Sequence, residues 1–272
     1  MNIIDDLESL LKDLKNQFRN VVPIIHEEKI IHNKKEFVLE TDIFSQSSLM
    51  SIAKKYHPTA KVISEELDNY HDISPDNESM VIMDPLDGTH NYLYGLPMWG
   101  FSYTVFSESR LAVESYIGLP MLDMLIAYNN QEITVYNLGA DHYLKRIQIQ
   151  SSKKNLSQMM IAYDNQFNKD PIIIKSNYNL LIDNTFTTRI SGSAIFDIAM
   201  IVVGKLDARI WHSTEIYDVA PAYAFLNKSG GVVNLNTDED AILGDKAIIA
   251  STNNSLFQQL QAIGFKRELD NG

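Results

Sequence analysis

The segment Val81–Tyr92, VIMDPLDGTHNY, constrains this chain more than any other. The apolar run from Met80 to Met83 suits a buried strand, and it stops abruptly at Asp84. Pro85 fixes φ, Asp87 stands three residues after Asp84, and Gly88 frees the backbone for a close approach. A strand that ends in two carboxylates on a stiffened turn is either a surface turn or a metal site.

Similar acids recur elsewhere. Glu65 and Glu66 follow the apolar stretch AKVIS, and Asp42 and Asp218 stand where helices are expected to begin. Taken singly, each has a plain reading: DPLDGT as a type I turn, SEEL as a solvated helix start, Asp42 and Asp218 as N-caps. Taken together they point elsewhere, because carboxylates at strand ends gather at the rim of a sheet, where α/β folds place their sites. Several acids in one cleft repel each other unless hard cations lie between them. An all-oxygen donor set favours Mg²⁺, with Mn²⁺ as a substitute, over zinc. The seven histidines show no H-x-x-x-H spacing, and the absence of cysteine excludes disulfides, thiolate sites and a cysteine nucleophile. Asp84 can bridge two cations, with the Leu86 carbonyl facing one and Asp87 meeting the other. Gly88 and Thr89 offer backbone N–H groups where a phosphate would sit. Two metals and a phosphate suit hydrolysis, one metal activating water and both stabilising the displacement.

The 272 residues suit one large α/β domain or two packed subdomains, and 45% hydrophobic content is ample for a core. A formal charge of −12 argues against bare nucleic acid or an anionic membrane as a partner, because phosphate contacts need clustered Lys and Arg. A small phosphorylated metabolite remains compatible if a divalent cation offsets the repulsion. The N-terminal stretch carries Asp5, Asp6 and Glu8 where a signal peptide would be basic. No apolar run approaches the roughly 20 residues of a membrane span. These features predict a cytoplasmic protein.

Leu7, Leu10, Leu11, Leu14, Phe18, Val21, Val22 and Ile25 recur at helical spacing and predict one long amphipathic helix. Thr41 or Asp42 is expected to cap a second helix that Pro58 ends. AKVISEE, SMVIMD, GFSYTVFSES, LAVESYIGLP, MLIAYNN and QEITVY read as strands. After about Ser151, MMIAYD, FTTRIS, DARIW and GGVVNL read as strands alternating with helices, one capped by Ser193 and ended by Gly204, another capped by Asp218 and ended by Gly230. The subdomain boundary is placed in NLGADHYLKRIQIQSSKKN, dividing residues 1–150 (α+β) from 151–272 (α/β).

At these residues the chain resembles the inositol monophosphatase family of Mg²⁺-dependent, lithium-sensitive phosphatases. The family's D-P-[LI]-D-G-T-x-N-[FY] stands complete from Asp84 to Tyr92. Its G-E-E appears as Ser64-Glu65-Glu66, and its T-x-x-D as LETD with Asp42 in place. Its R-x-x-G-[ST]-A matches Arg189, Gly192, Ser193 and Ala194. Its W-D-x-A…E-A-G-G reads YDVAPAYAFLNKSGG, with Tyr217 for Trp and Lys228 for Glu. The resemblance implies a single layered αβαβα domain, usually a homodimer. It implies a first cation on Glu65, Asp84 and the Leu86 carbonyl, a second on Asp84, Asp87 and Asp218, and a weaker third near Glu65. Thr89 and Asp42 would activate a metal-bound water for direct attack with no phosphoenzyme, Gly88 and Thr89 N–H would hold the phosphate, and Asp87, Gly192, Ser193 and Ala194 would meet the substrate.

Some positions depart from the pattern. The family's inositol-binding glutamate falls on Trp211, which cannot accept hydrogen bonds but can stack on a sugar or base, or simply fill space. Glu215 could replace the lost acceptor, and Lys34 or Lys35 the family's lysine before T-x-x-D. Inositol monophosphate is the expected substrate, with a 3′,5′-bisphosphate nucleotidase, a sugar-bisphosphate phosphatase or a histidinol-phosphate phosphatase as alternatives. Outside enzymes, the alternative is an inactive metal-binding scaffold. A phosphoaspartate mechanism of the haloacid type needs D-x-D-x-T, which the D-x-x-D-G-T spacing does not supply.

Overall fold

The structure, a computed structural model, describes residues 2–31, 34–67, 78–139, 143–164, 171–212, 214–226, 231–234 and 248–266. Helix α1 (Ile3–Asn20) opens on a reciprocal box: Asn2 Oδ1 accepts from Asp5 N–H at 3.1 Å, and Asp5 Oδ2 from Asn2 N–H at 2.9 Å. Its Leu7, Leu10, Leu11 and Leu14 are buried. The helix stops short of the expected Ile25 because Pro23 supplies no N–H and disfavours a helical Val22. Val21 and Val22 are consequently exposed, and Ile25 begins strand β1 (Ile25–Ile31), which forms a separate hairpin with β2 (Lys34–Leu39).

Helix α2 (Glu40–Tyr56) leads into β3 (Lys61–Ser64). A meander follows: β4 (Met80–Asp87), β5 (Gly100–Phe106), β6 (Ala112–Leu119), β7 (Met124–Asn129), β8 (Glu132–Asn137) and β9 (Tyr143–Ile147). They form a seven-stranded sheet in sequence order, with β3 and β4 parallel and every later pair antiparallel. The second sheet runs β11-β10-β12-β14-β13, from β10 (Met160–Tyr163), β11 (Thr187–Arg189), β12 (Ala208–Trp211), β13 (Val232–Asn234) and β14 (Ile248–Ser251). Strand β10 is parallel to β11 and β12, while β14 is antiparallel to its neighbours. The chain passes from one sheet to the other between Ile147 and Met160, so β9, inside the stretch expected to be a boundary, belongs to the first sheet.

The pleat builds the layers. Val81 and Met83 of β4 face the leucines of α1 and Leu49 and Ile52 of α2. Met80 and Ile82 face the other way, toward Ile195 and Ile198 of α5 (Ala194–Val202) and Val219 and Ala220 of α6 (Ile216–Leu226). On the second sheet Ala162, Trp211, Ile248 and Ala250 close that middle layer. Its outer face, Ile161, Tyr163, Ile210 and Ile249, packs on α4 (Pro171–Asn184) and α7 (Leu256–Ala262). The result is the expected αβαβα sandwich. The ends of β4 and β12 and the starts of α5 and α6 all border its middle layer.

Candidate active site

The site begins as a defect in β4. Asp84 pairs with Ser102 and Asp87 with Gly100, so three steps on β4 oppose two on β5. The extra residue is a bulge, a device that re-aims side chains at a sheet's rim. Pro85 sits in it without forfeiting a ladder donor, since it has none. The freed backbone groups find partners: Pro85 C=O accepts from Ser45 Oγ at 2.7 Å, Leu86 N–H donates to Asp84 Oδ1 at 3.1 Å, and Leu86 C=O accepts from Thr89 Oγ1 at 3.0 Å. Gly88 turns the chain at φ +88° into the short helix α3 (Thr89–Leu93). A Cβ there would lie 2.9 Å from Met98 O and 3.2 Å from Ser193 Cβ.

Asp42 and Asp218 reach the site by one shared device, which differs from the expected capping. Neither is an N-cap. Each is the third residue of its helix and reaches back to the residue before the helix: Asp42 Oδ2 accepts from Leu39 N–H at 2.8 Å, and Asp218 Oδ2 from Glu215 N–H at 3.3 Å. This is the carboxylate half of a capping box. Asp42 Oδ1 also accepts from Thr89 Oγ1 at 3.3 Å, and Asp218 Oδ2 from Thr214 Oγ1 at 2.8 Å. Ser193 is the N-cap of α5 as expected, accepting from Phe196 N–H at 3.1 Å. Its hydroxyl donates to Asp87 Oδ2 in a short hydrogen bond, and Ile195 N–H reaches the same oxygen at 2.7 Å. Gly192 makes the approach at φ +77°, and Asn91 Nδ2 fastens the two loops by donating to Met98 O at 2.6 Å and Ser191 O at 2.9 Å.

One carboxylate oxygen from each of Asp84, Asp87 and Asp218 can be chosen so that all three lie within 4.8 Å of one another. Glu65 stands outside that triad but close enough to repel Glu66, Asp218, Asp42 and Asp87. Burial, reinforced by these like charges, raises the proton affinity of Glu65 and Asp84 well above that of ordinary carboxylates. Burial raises Asp87 too, against its bonds from Ser193 and Ile195. Asp218 is pushed up to about 7 by burial and then by Asp87, and Asp42 to about 7 by burial against the Leu39 N–H bond. Buried acids crowded this closely form an under-compensated negative site made only of oxygen donors. Those are the terms on which a hard divalent cation binds.

Other predicted residues fall as follows. Ser64, standing for the family glycine, donates its hydroxyl to Gln46 Oε1 at 2.6 Å, so the substitution is satisfied in place. Trp211 is 2% exposed and faces the middle layer, its ring 5.0 Å from the Arg209 guanidinium. As placed, it fills space and offers a ligand almost no surface. The side chains of Lys34 and Lys35, and all of Lys228 and Gly230, lie outside the described residues. Sequence reasoning passed over the buried pair Asp197 and Arg209 and the half-buried Ser191, a polar group directly behind Ser193. Its one signal was an arginine at an inward position of the strand ARIW.

The profile of the inositol monophosphatase family matches residues 7–264. An inositol monophosphatase of Dictyostelium discoideum is 25% identical over 203 residues, 73% of this chain and 71% of its own. A fructose-1,6-bisphosphatase/inositol-1-monophosphatase of Aquifex aeolicus is 25% identical over 240 residues, 86% of each chain. A Nus factor SuhB of Pseudomonas aeruginosa is 25% identical over 231 residues, covering 83% of this chain and 82% of its own. The fold matches the crystal structure of an IMPase/NADP phosphatase complexed with Mg²⁺ and phosphate, with TM-score 0.71, 18% identity, and coverage of 97% of this chain and 95% of that one. With a match this long on a fold these structures share, the chain belongs to the inositol monophosphatase family, whose members are metal-dependent phosphoric monoester hydrolases.

Proposed function

We propose that this protein is a Mg²⁺-dependent phosphomonoesterase acting on a small phosphorylated metabolite, inositol monophosphate in the first instance, by direct attack of water. The observation that carries this reading is the convergence of Asp84, Asp87 and Asp218 beside the Thr89–Asp42 pair. Asp84, Asp87 and Asp218 would hold one cation, Glu65, Asp84 and the Leu86 carbonyl another, and a weaker third would sit near Glu65. Mn²⁺ would substitute. Bound there, the cations supply charge stabilisation to the phosphoryl group and acidify water. The chain's own residues do the rest. Thr89 Oγ1 orients the attacking water and relays its proton to Asp42 Oδ1, the carboxylate within reach of its hydroxyl at 3.3 Å. Gly88 and Thr89 N–H face the phosphate, and Gly192, Ser193 and Ala194 border the alcohol side. A cytoplasmic homodimer completes the reading, and light scattering on the purified protein tests the dimer.

Phosphate release from inositol 1-phosphate, fructose 1,6-bisphosphate, 3′-phosphoadenosine 5′-phosphate and histidinol phosphate, with and without Mg²⁺, tests the assignment. Turnover of none, by folded protein, overturns it in favour of a binding role. The bisphosphate is the second reading, supported by the double name of the Aquifex relative. Millimolar Li⁺ should inhibit by entering the Asp84–Asp87–Asp218 site, and full activity in high Li⁺ would count against that site.

A further inference from the structure

Behind Asp87 lies a charged group that the proposed reaction does not use. Arg209, on β12, is 4% exposed and faces the middle layer. Its Nη1 donates to Asp197 Oδ2 on α5 in a short ion pair, and to Ser191 Oγ at 3.4 Å. Asp164, buried at the end of β10, adds a second attraction. Trp211 covers the guanidinium from two residues along the strand. Ser191 Oγ is 2.7 Å from Asp197 Oδ2 and accepts from Ser193 N–H at 3.2 Å. Ser193 in turn donates its hydroxyl to Asp87. An unbroken hydrogen-bonded path therefore runs from Arg209 through Asp197, Ser191 and Ser193 to Asp87.

We propose that Arg209 and Asp197 are positioning residues that set the protein's Mg²⁺ affinity, by holding the Ser191–Ser193 turn so that Asp87 presents its carboxylate to the cation. The inference rests on the reading of Asp87 as a metal ligand. Its logic follows from what a buried ion pair costs. Desolvating two charges is expensive, and an apolar pair of similar size would often stabilise the fold as well or better. The pair's distinct contribution is directional. Arg209 orients the Asp197 carboxylate, and that carboxylate fixes the Ser191 hydroxyl. Groups that orient metal ligands from behind typically govern about 10–100-fold in affinity.

The Arg209→Met/Asp197→Leu double variant removes both charges together; it also removes the direct attraction between Arg209 and Asp87, a loss of nearby positive charge that by itself would tighten cation binding, so a raised Kd reports lost positioning. Two measurements are made on it: metal-free melting temperature, and the Kd for Mg²⁺ by titration calorimetry. The expected result is a folded protein with a Kd raised about 10-fold or more, the melting temperature serving only to show that the fold survives, since buried Asp164 also loses the Arg209 charge. A purely structural pair would leave Kd within twofold, and that outcome overturns the proposal. Should the double variant not fold, Ser191→Ala breaks the path while keeping the ion pair. It should weaken Mg²⁺ binding in the same direction, with Ser191→Thr recovering it, and an unchanged Kd in Ser191→Ala overturns the proposal equally. Asp87→Asn separates the two ways of failing. If its Kd matches the parent's, the ligand reading is wrong and this inference falls with it. If its Kd rises while the path variants stay unchanged, this inference alone falls.

Discussion

Thr89 shows how much one side chain can carry. Its hydroxyl has a single proton and two acceptors, Leu86 O at 3.0 Å and Asp42 Oδ1 at 3.3 Å. If it relays a proton in the reaction, Thr89→Ala should lower kcat by about 10²–10⁴-fold while the Kd for Mg²⁺ changes little. Thr89→Ser should restore most of the rate, since the hydroxyl is the working group. A loss confined to Mg²⁺ affinity would remove Thr89 from the proton path. Trp211 gives the opposite case. Were it a wall of the substrate pocket, Trp211→Glu should improve inositol phosphate turnover. Packed at 2% exposure among apolar side chains of the middle layer, it should instead lose ring contacts and bury a carboxylate. The expected outcome is a lower melting temperature with no gain in turnover, read by calorimetry and phosphate release.

At the scale of elements, the β4 bulge and the starts of α2, α5 and α6 do the positioning. At Gly88 the bulge lies close against Met98 and the cap of α5. A Cβ there meets Met98 O at 2.9 Å, at a φ of +88° that costs an L-residue roughly 1–2 kcal/mol by itself. Gly88→Ala should lower the melting temperature by a few degrees and reduce kcat more than that loss of stability accounts for. An active variant of parental stability would mean that the loop relaxes freely. A break at Asp84 was legible in advance because Asp, Pro and Gly each constrain the backbone differently, but it was expected as a turn ending the strand, whereas β4 runs on through a bulge to Asp87. The helix starts were only half legible. An acid near a helix start suits either the N-cap or the third position, and composition does not distinguish them, so Asp42 and Asp218 were expected as caps but stand at the third position. The β1–β2 hairpin left no pattern to find. His26, Glu27 and Glu28 are exposed and the hairpin joins neither sheet, so no alternation of apolar and polar residues was imposed on it. Strand β9 was hidden likewise, since Tyr143 to Arg146 are exposed at a sheet edge. Arg209 escaped notice because its meaning depends on Asp197 and Ser191, which only the packing of α5 on β12 brings beside it.

For the whole molecule, the net charge of −12 has a structural counterpart: Asp42, Asp84, Asp164 and Asp197 are buried, and Asp87 and Asp218 crowd the same middle layer. This makes stability depend on protons and cations together. Without metal, Asp42 and Asp218 take up protons near pH 7 when folded, against about 3.9 for an aspartate in an unstructured chain, and Glu65 and Asp84 shift in the same direction. A carboxyl whose folded pKa is raised contributes fully below its unfolded pKa, and that contribution is lost as pH rises through the folded value. The chelated protein should therefore lose stability from these groups between about pH 4 and about pH 7. If Mg²⁺ binds the ionised acids as proposed, its stabilisation should grow over the same interval, reaching about 4 kcal/mol once free Mg²⁺ is about a thousand times its Kd. The gap in melting temperature between Mg²⁺ and chelator should then widen from pH 5 to pH 8. Other titrating groups affect both conditions alike and cancel in the difference. Asp218→Asn, which removes one of the titrating acids and a proposed ligand, should flatten the chelated protein's pH dependence and narrow the gap at pH 8. A gap of equal size at both pH values would mean that the cations do not bind the buried acids, and the metal site would have to be sought elsewhere.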